Sequence, residues 1–165
     1  MGWRDIDTAI KSDAGAEAMR LQKAQLRSTN IGRHSNLLWD ILLSSLEENA
    51  KGLTQKLHQC DALNRVDEIS LVERDDSFYS FQNRTFPMIH IDVRYKHGES
   101  IHVSGKKFIS ALSEEAIRPI IFTFDTDMRY EVCLSLVGGQ MFSPSQAADF
   151  ITDIAAESFR IAALR

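Results

Sequence analysis

An α+β domain is the fold this sequence predicts: an N-terminal helical pair with one long helix, an antiparallel meander sheet of five to six strands, and a C-terminal helix packed on one sheet face. Three observations carry that reading. Apolar residues between 37 and 63 recur at helical spacing, the period changes from about 3.6 to 2 after Asn64, and helical spacing returns behind a capping sequence at Ser143. The chain has 165 residues, 44% hydrophobic and 25% charged, which suits a single globular domain. Within it, residues 1–12 read as a flexible lead-in, 13–64 as the helical region, and 65–165 as the sheet with its closing helix.

Residues 13–28 are rich in good helix formers, with Asp13 placed to cap. Only Met19, Leu21 and Leu26 are large apolar groups there, so this helix is expected to be poorly buried. Asn30-Ile31-Gly32 reads as a break, and Ser35 or Asn36 as the cap of a second helix from Leu37. In that helix Trp39, Leu43, Leu46, Ala50, Leu53, Leu57 and Cys60 follow one another at steps of 4, 3, 4, 3, 4 and 3, a heptad seam that calls for a partner. A helix over 35–63 spans about 43 Å at 1.5 Å per residue. A strand of five or six residues covers only about 17–20 Å. One end is therefore expected to overhang the sheet, and the distal seam is the expected interface with another chain. The alternatives are that the seam packs on the chain's own sheet and final helix, or that the preceding helix folds back over the overhang. Replacing Leu46 and Leu53 by aspartate is then expected to yield a folded monomer.

Strands are expected at 68–74, 78–82, 88–96, 100–104, 120–125 and 130–136, separated by turn residues such as Asn83-Arg84, His97-Gly98 and Thr126-Asp127. Over 88–96, Ile89, Ile91, Val93 and Tyr95 fall on one face and His90, Asp92, Arg94 and Lys96 on the other, which makes one face buried and one wet. A three-residue loop at His97-Gly98-Glu99 pairs Tyr95 with Ile101 and Val93 with Val103. The same apolar matching pairs Phe124 with Tyr130, Phe122 with Val132 and Ile120 with Leu134. Residues 108–116 are ambiguous between a short helix and a loop. Ser143, Pro144 and Gln146 form a capping box, and Ala147, Phe150, Ile151, Ile154, Ala155 and Phe159 give the last helix its apolar face.

Catalytic and ligand-binding signatures are sparse. His90 and Asp92 share a strand face and His102 lies on the next strand, a set of metal-ligand type that equally suits a solvated sheet face. Asp125-Thr126-Asp127 reads as hairpin-turn chemistry, and no Walker A loop, nucleophile elbow or CxxC pair occurs. Cys60 and Cys133 are expected to be buried thiols in a reducing cytoplasm. No cofactor is expected. Arg20, Lys23 and Arg27 share a helix face, but a net charge of −4 argues against a nucleic-acid partner. The start of the chain shows neither a secretory signal nor a myristoylation pattern, and no apolar run is long enough for a membrane.

The order of elements resembles that of small bacterial secretion chaperones and other dimeric adaptors, a likeness of architecture alone. The expected function is a non-enzymatic cytoplasmic protein-binding or adaptor module, oligomeric or part of a larger complex. The alternatives are a small metal-dependent hydrolase using His90, Asp92 and His102, and a nucleic-acid accessory protein using Arg20, Lys23 and Arg27.

Overall fold

Helix formers fill the chain from its start, and the helix they make does not break at Asn30. The computed structural model describes residues 6–163, in which α1 runs unbroken from Ile6 to His58. The expected helical pair is thus one helix of 53 residues, about 80 Å long at 1.5 Å per residue. Glycine in a helix interior costs only ~1 kcal/mol relative to alanine, and the neighbours of Gly32 outweigh that. The Asn30 amide donates to the Tyr130 carbonyl at 3.2 Å, and Ile31 packs against the core. Ser35 and Asn36 cap nothing. They accept the Tyr95 hydroxyl near mid-helix, at 3.0 Å on Ser35 Oγ and 2.6 Å on Asn36 Oδ1. Residues 6–12 of the expected lead-in are already helical, while residues 1–5, with the readings that fell on them, lie outside the described residues.

Seven strands follow in sequence order: β1 (Ser70–Asp75), β2 (Phe78–Gln82), β3 (Met88–Lys96), β4 (Ser100–Ser110), β5 (Ser113–Thr126), β6 (Val132–Leu136) and β7 (Met141–Phe142). Each pairs antiparallel with the next, so the sheet is an open meander with one strand more than the upper expectation. The addition is the two-residue β7. Tyr95 does face Ile101 and Val93 does face Val103. Between β5 and β6 the register differs: Phe122 faces Leu136 and Phe124 faces Leu134. The shift from the expected pairing is an even number of residues, so it keeps apolar groups on one face and leaves no trace in the alternation. What sets it is the turn. Asp127 Oδ1 accepts the Arg129 and Glu131 amides, and Tyr130 takes a positive φ of 63°. Residues 108–116, left between helix and loop by sequence, are the far ends of β4 and β5.

α2 (Pro144–Ala163) starts at the expected capping box, with the Gln146 amide on Ser143 Oγ at 3.2 Å and the Ser143 amide on Gln146 Oε1 at 2.9 Å. It lies beside α1 on the apolar face of the sheet. Ser45 Oγ is 3.2 Å from Ser145 Oγ and the Asn49 amide donates to Asp149 Oδ1 at 3.0 Å, so residue numbers rise together and the helices run parallel. Between helices and sheet lies one core, with Leu42, Leu46, Phe81, Ile91, Val93, Ile101, Phe122, Leu134 and Ile151 fully enclosed. Trp39 stacks on Tyr95 at 5.2 Å and meets Tyr79 edge-on at 5.9 Å, fixing α1 across the middle of the sheet.

One loop closes on a buried carboxamide and a carboxylate. Asn83 Nδ2 donates to the Thr85 and Pro87 carbonyls, and its Oδ1 accepts the Ile89 amide at 2.8 Å. Asp67 accepts the Arg84 and Thr85 amides and the Thr85 hydroxyl at 2.7–3.0 Å. Partial burial pushes the Asp67 carboxyl up. The bonds from Thr85, Arg84 and Asn83 together outweigh that and hold it below the ordinary carboxylate value. A depressed folded-state pKa contributes stability above the unfolded value, about 4, and loses it as pH falls through the folded value. Urea midpoints are accordingly expected to drop on acidification below about pH 4. Asp67→Asn should lose about 1 kcal/mol at neutral pH and show a shallower acid dependence than the parent chain.

Candidate functional site

The heptad seam is turned inward. Trp39, Leu46, Ala50, Leu53 and Leu57 are buried and Leu43 half-buried against the chain's own sheet and α2. Cys60 lies beyond the helix in an exposed turn. The distal end of α1 does not overhang, because the chain doubles back over it. His58 Nε2 meets the Val66 carbonyl at 2.7 Å, Thr54 Oγ1 accepts the Ile69 amide at 3.0 Å, and Leu63, Val66 and Ile69 seal the last turns. The seam expected to meet a partner is therefore covered by its own protomer.

What overhangs is the opposite end. Contact with the body begins at Arg27, which holds Asp125 at 2.9 Å, and at Asn30 on the Tyr130 carbonyl. Residues 6–26 project beyond it, about 32 Å of helix at 1.5 Å per residue. Along this projection Ile6, Ile10, Met19, Leu21 and Leu26 are 45–62% exposed. The poor burial expected for residues 13–28 is observed. What sequence missed is that the same helix continues into the core, so that the exposed segment extends away from the body instead of folding back on it. The one signal available was the long run of helix formers without proline through Asn36.

On the sheet face away from the helices, His90 and Asp92 do come together, with Nε2 and Oδ1 2.9 Å apart. His102 does not join them. It stands opposite Arg94, with its Nε2 2.9 Å from Ser100 Oγ, and among the described residues no three His, Cys, Asp or Glu side chains group to hold a metal. The third member of the cluster is Ser80, which donates to Asp92 Oδ1 at 2.8 Å and lies 3.2 Å from His90 Nε2. Sequence reasoning missed it because it sits on the preceding strand. Hydroxyl and carboxylate meet the same imidazole nitrogen, whereas a nucleophilic triad needs them on opposite ring nitrogens. Ser80 is also fully buried. The triangle ties β2 to β3 and activates nothing.

The basic stripe is largely spent within the chain. Arg20 lies 3.8 Å from Glu17, and Arg27 is bound to Asp125. Neither thiol is fully buried as expected: Cys133 is half-buried, and burial followed by Asp125 and Asp127 pushes its thiol up, which suppresses thiolate chemistry. Between β5 and α2 lies an apolar groove of about 620 Å³, lined by Ile117, Arg118, Pro119, Ile121, Phe150 and Ile154 among others. Among the described residues no helix is long and apolar enough to cross a membrane.

Fold and surface together define an α+β domain that carries a projecting helical arm and, among the described residues, no assembled catalytic centre. No family model matches the chain, and neither a curated protein nor a solved structure does.

Proposed function

We propose that this chain is a non-enzymatic protein-binding or adaptor module of the reducing cytoplasm, and that it works through the projecting segment of α1. The observation that carries this is the arm itself. Its first 21 residues, 6–26, expose five large apolar side chains while the rest of the same helix is locked into the core. Most helical stability in proteins comes from covering an apolar face, and no other element among the described residues covers this one. An arm of this kind gains from a second surface, and its continuity with a helix anchored in the core lowers the entropy lost on docking.

Removal of residues 1–26 is the test. The shortened chain should keep the cooperative unfolding of the body, because the core residues begin at Ile31. It should also lose association, read as a fall to the mass of one chain by light scattering while the full chain runs larger in its host extract and after purification. A full chain that runs as a single protomer in both settings refutes the reading.

A further inference from the structure

We infer that the groove between β5 and α2 is a binding site for a small amphipathic carboxylate, which lays an alkyl body along the apolar lining and sets its head on Arg118. The site is separate from the arm, and the inference goes beyond the arm's proposed role.

The groove arises because β6 stops early. Its last ladder pair is Leu136 with Phe122, after which the chain turns through Gly138 and Gly139, at positive φ of 110° and 86°, into β7. On that side residues 113–121 of β5 have no strand beside them among the described residues, and the groove opens between them and α2. Eight of its nine lining residues are apolar, and its volume of about 620 Å³ falls within the ~300–1,000 Å³ of small-molecule sites. Phe150 stands edge-on to Phe122 at 6.2 Å and tilted to Phe142 at 5.6 Å, so the core braces that wall. Ile121 and Val137 are 41% and 95% exposed, which keeps apolar surface in water for a ligand to cover.

The ninth residue is Arg118, and a β-bulge puts it there. Ile117 pairs with Gly105 and Ile120 with Val103, which leaves Arg118 and Pro119 together opposite Ser104. Strict alternation from the inward Ile117 would turn position 118 to the other sheet face, whereas the bulge re-aims it to the α2 side. The bulge and Pro119, which has no amide hydrogen to donate, also blunt this edge against an added peptide strand. A compact ligand is the occupant that remains, and the charges fix its polarity. Among the described residues Arg118 forms no ion pair. A hollow of about 440 Å³ adjoins the groove at Ile117, Arg118, Phe150 and Ile154. There Lys107 is held by Glu115 at 2.9 Å and Glu157 by Arg160 at 2.6 Å, while Asp153 has no ion-pair partner among the described residues. Asp153 repels an anion from that hollow, so the head sits on Arg118 and the tail runs the other way, toward Ile121, Leu136 and Val137.

The experiment uses the full chain with a dansyl-labelled undecanoic acid as fluorescent reporter, displaced by decanoate, decanol or decylamine below their micellar concentrations. Decanoate should displace it saturably at one site per chain, about tenfold more tightly than decanol or decylamine. Arg118→Ala should weaken decanoate by about that same tenfold and leave decanol unchanged. Val137→Asp, at the tail end, should weaken both. Both residues are exposed, so the urea midpoints of the two variants should match the parent chain. Leu21→Asp on the arm should leave displacement as it is. Absence of saturable displacement overturns the inference. So does a decanoate affinity unmoved by Arg118→Ala or by Val137→Asp, or one lost on Leu21→Asp, which places the ligand on the arm. Decanol or decylamine binding as tightly as decanoate overturns the carboxylate assignment. Uptake onto oleate-containing phosphatidylcholine vesicles that free decanoate does not reverse overturns the assignment to a free ligand.

Discussion

Leu46→Asp is expected to unfold the domain. Leu46 has no exposed surface and lies at the centre of the layer between α1 and the sheet, with Leu42, Ala50 and Leu53 on the same helix buried beside it. A carboxylate there must either shed its hydration without a partner or take up a proton, and the leucine's own packing is lost in both cases. Losing the side chain alone costs about 2–5 kcal/mol, and an unpaired buried polar group adds about 1–3 kcal/mol. Their sum approaches the entire stability of an ordinary domain, about 5–15 kcal/mol. Adding Leu53→Asp, at a residue 9% exposed, leaves no margin. The folded monomer expected from a partner-facing seam is thus replaced by loss of structure. Leu21→Asp on the arm provides the contrast: at a residue 62% exposed, it should change the body's urea midpoint by no more than the ~0.5 kcal/mol typical of surface sites. Circular dichroism across a urea titration reads both. A Leu46→Asp protein with native helicity and a cooperative transition would show that the seam is not core.

That contrast marks how far the sequence was legible. Heptad spacing identifies which side of a helix is apolar, but contains nothing about whether the covering surface belongs to the same chain. From Trp39 to Leu57 the cover is the chain's own sheet and α2, and from Ile10 to Leu21 the body supplies none. The β3–β4 pairing was readable because strict alternation and a tight loop leave one register that keeps the faces together. Across β5 and β6 alternation permits every even shift, and the choice among them falls to backbone geometry at Tyr130 and the acceptor on Asp127. At Gly32 the propensity signal was correct in sign and too small. A cost of ~1 kcal/mol does not stop a helix that gains the Asn30 bond and the packing of the adjacent Ile31 against the core. The polar cluster was half visible: His90 and Asp92 share a strand, but Ser80 and the displacement of His102 follow from pairings between strands.

Gly105→Val should be as damaging as any single change in the sheet, for a reason that composition hides. Gly105 pairs with Ile91 in the β3–β4 ladder, and a β-carbon there would run into the His90 carbonyl oxygen and lie 2.9 Å from the Ile91 α-carbon. Both are backbone atoms of a central strand, so neither can swing aside as a side-chain tip would. Relief requires parting β3 from β4, which breaks ladder bonds beside the Ser80–His90–Asp92 triangle and shifts the long hairpin carrying Lys107 and Ile117 over α2. Overpacking commonly costs about 1–3 kcal/mol, and backbone separation places this site at or above the upper end. At about 2–4 °C per kcal/mol for a chain of this size, the melting temperature should fall by about 6–12 °C or further. Two alanine substitutions separate contact from glycine's conformational freedom. Gly52→Ala, in open space within α1, should stabilise by ~0.5–1 kcal/mol. Gly98→Ala, also in open space but at a φ of +69°, should cost about 1–2 kcal/mol through strain alone. If Gly105→Val melts no lower than Gly98→Ala, the close approach of the β3 backbone is not what requires glycine at this position.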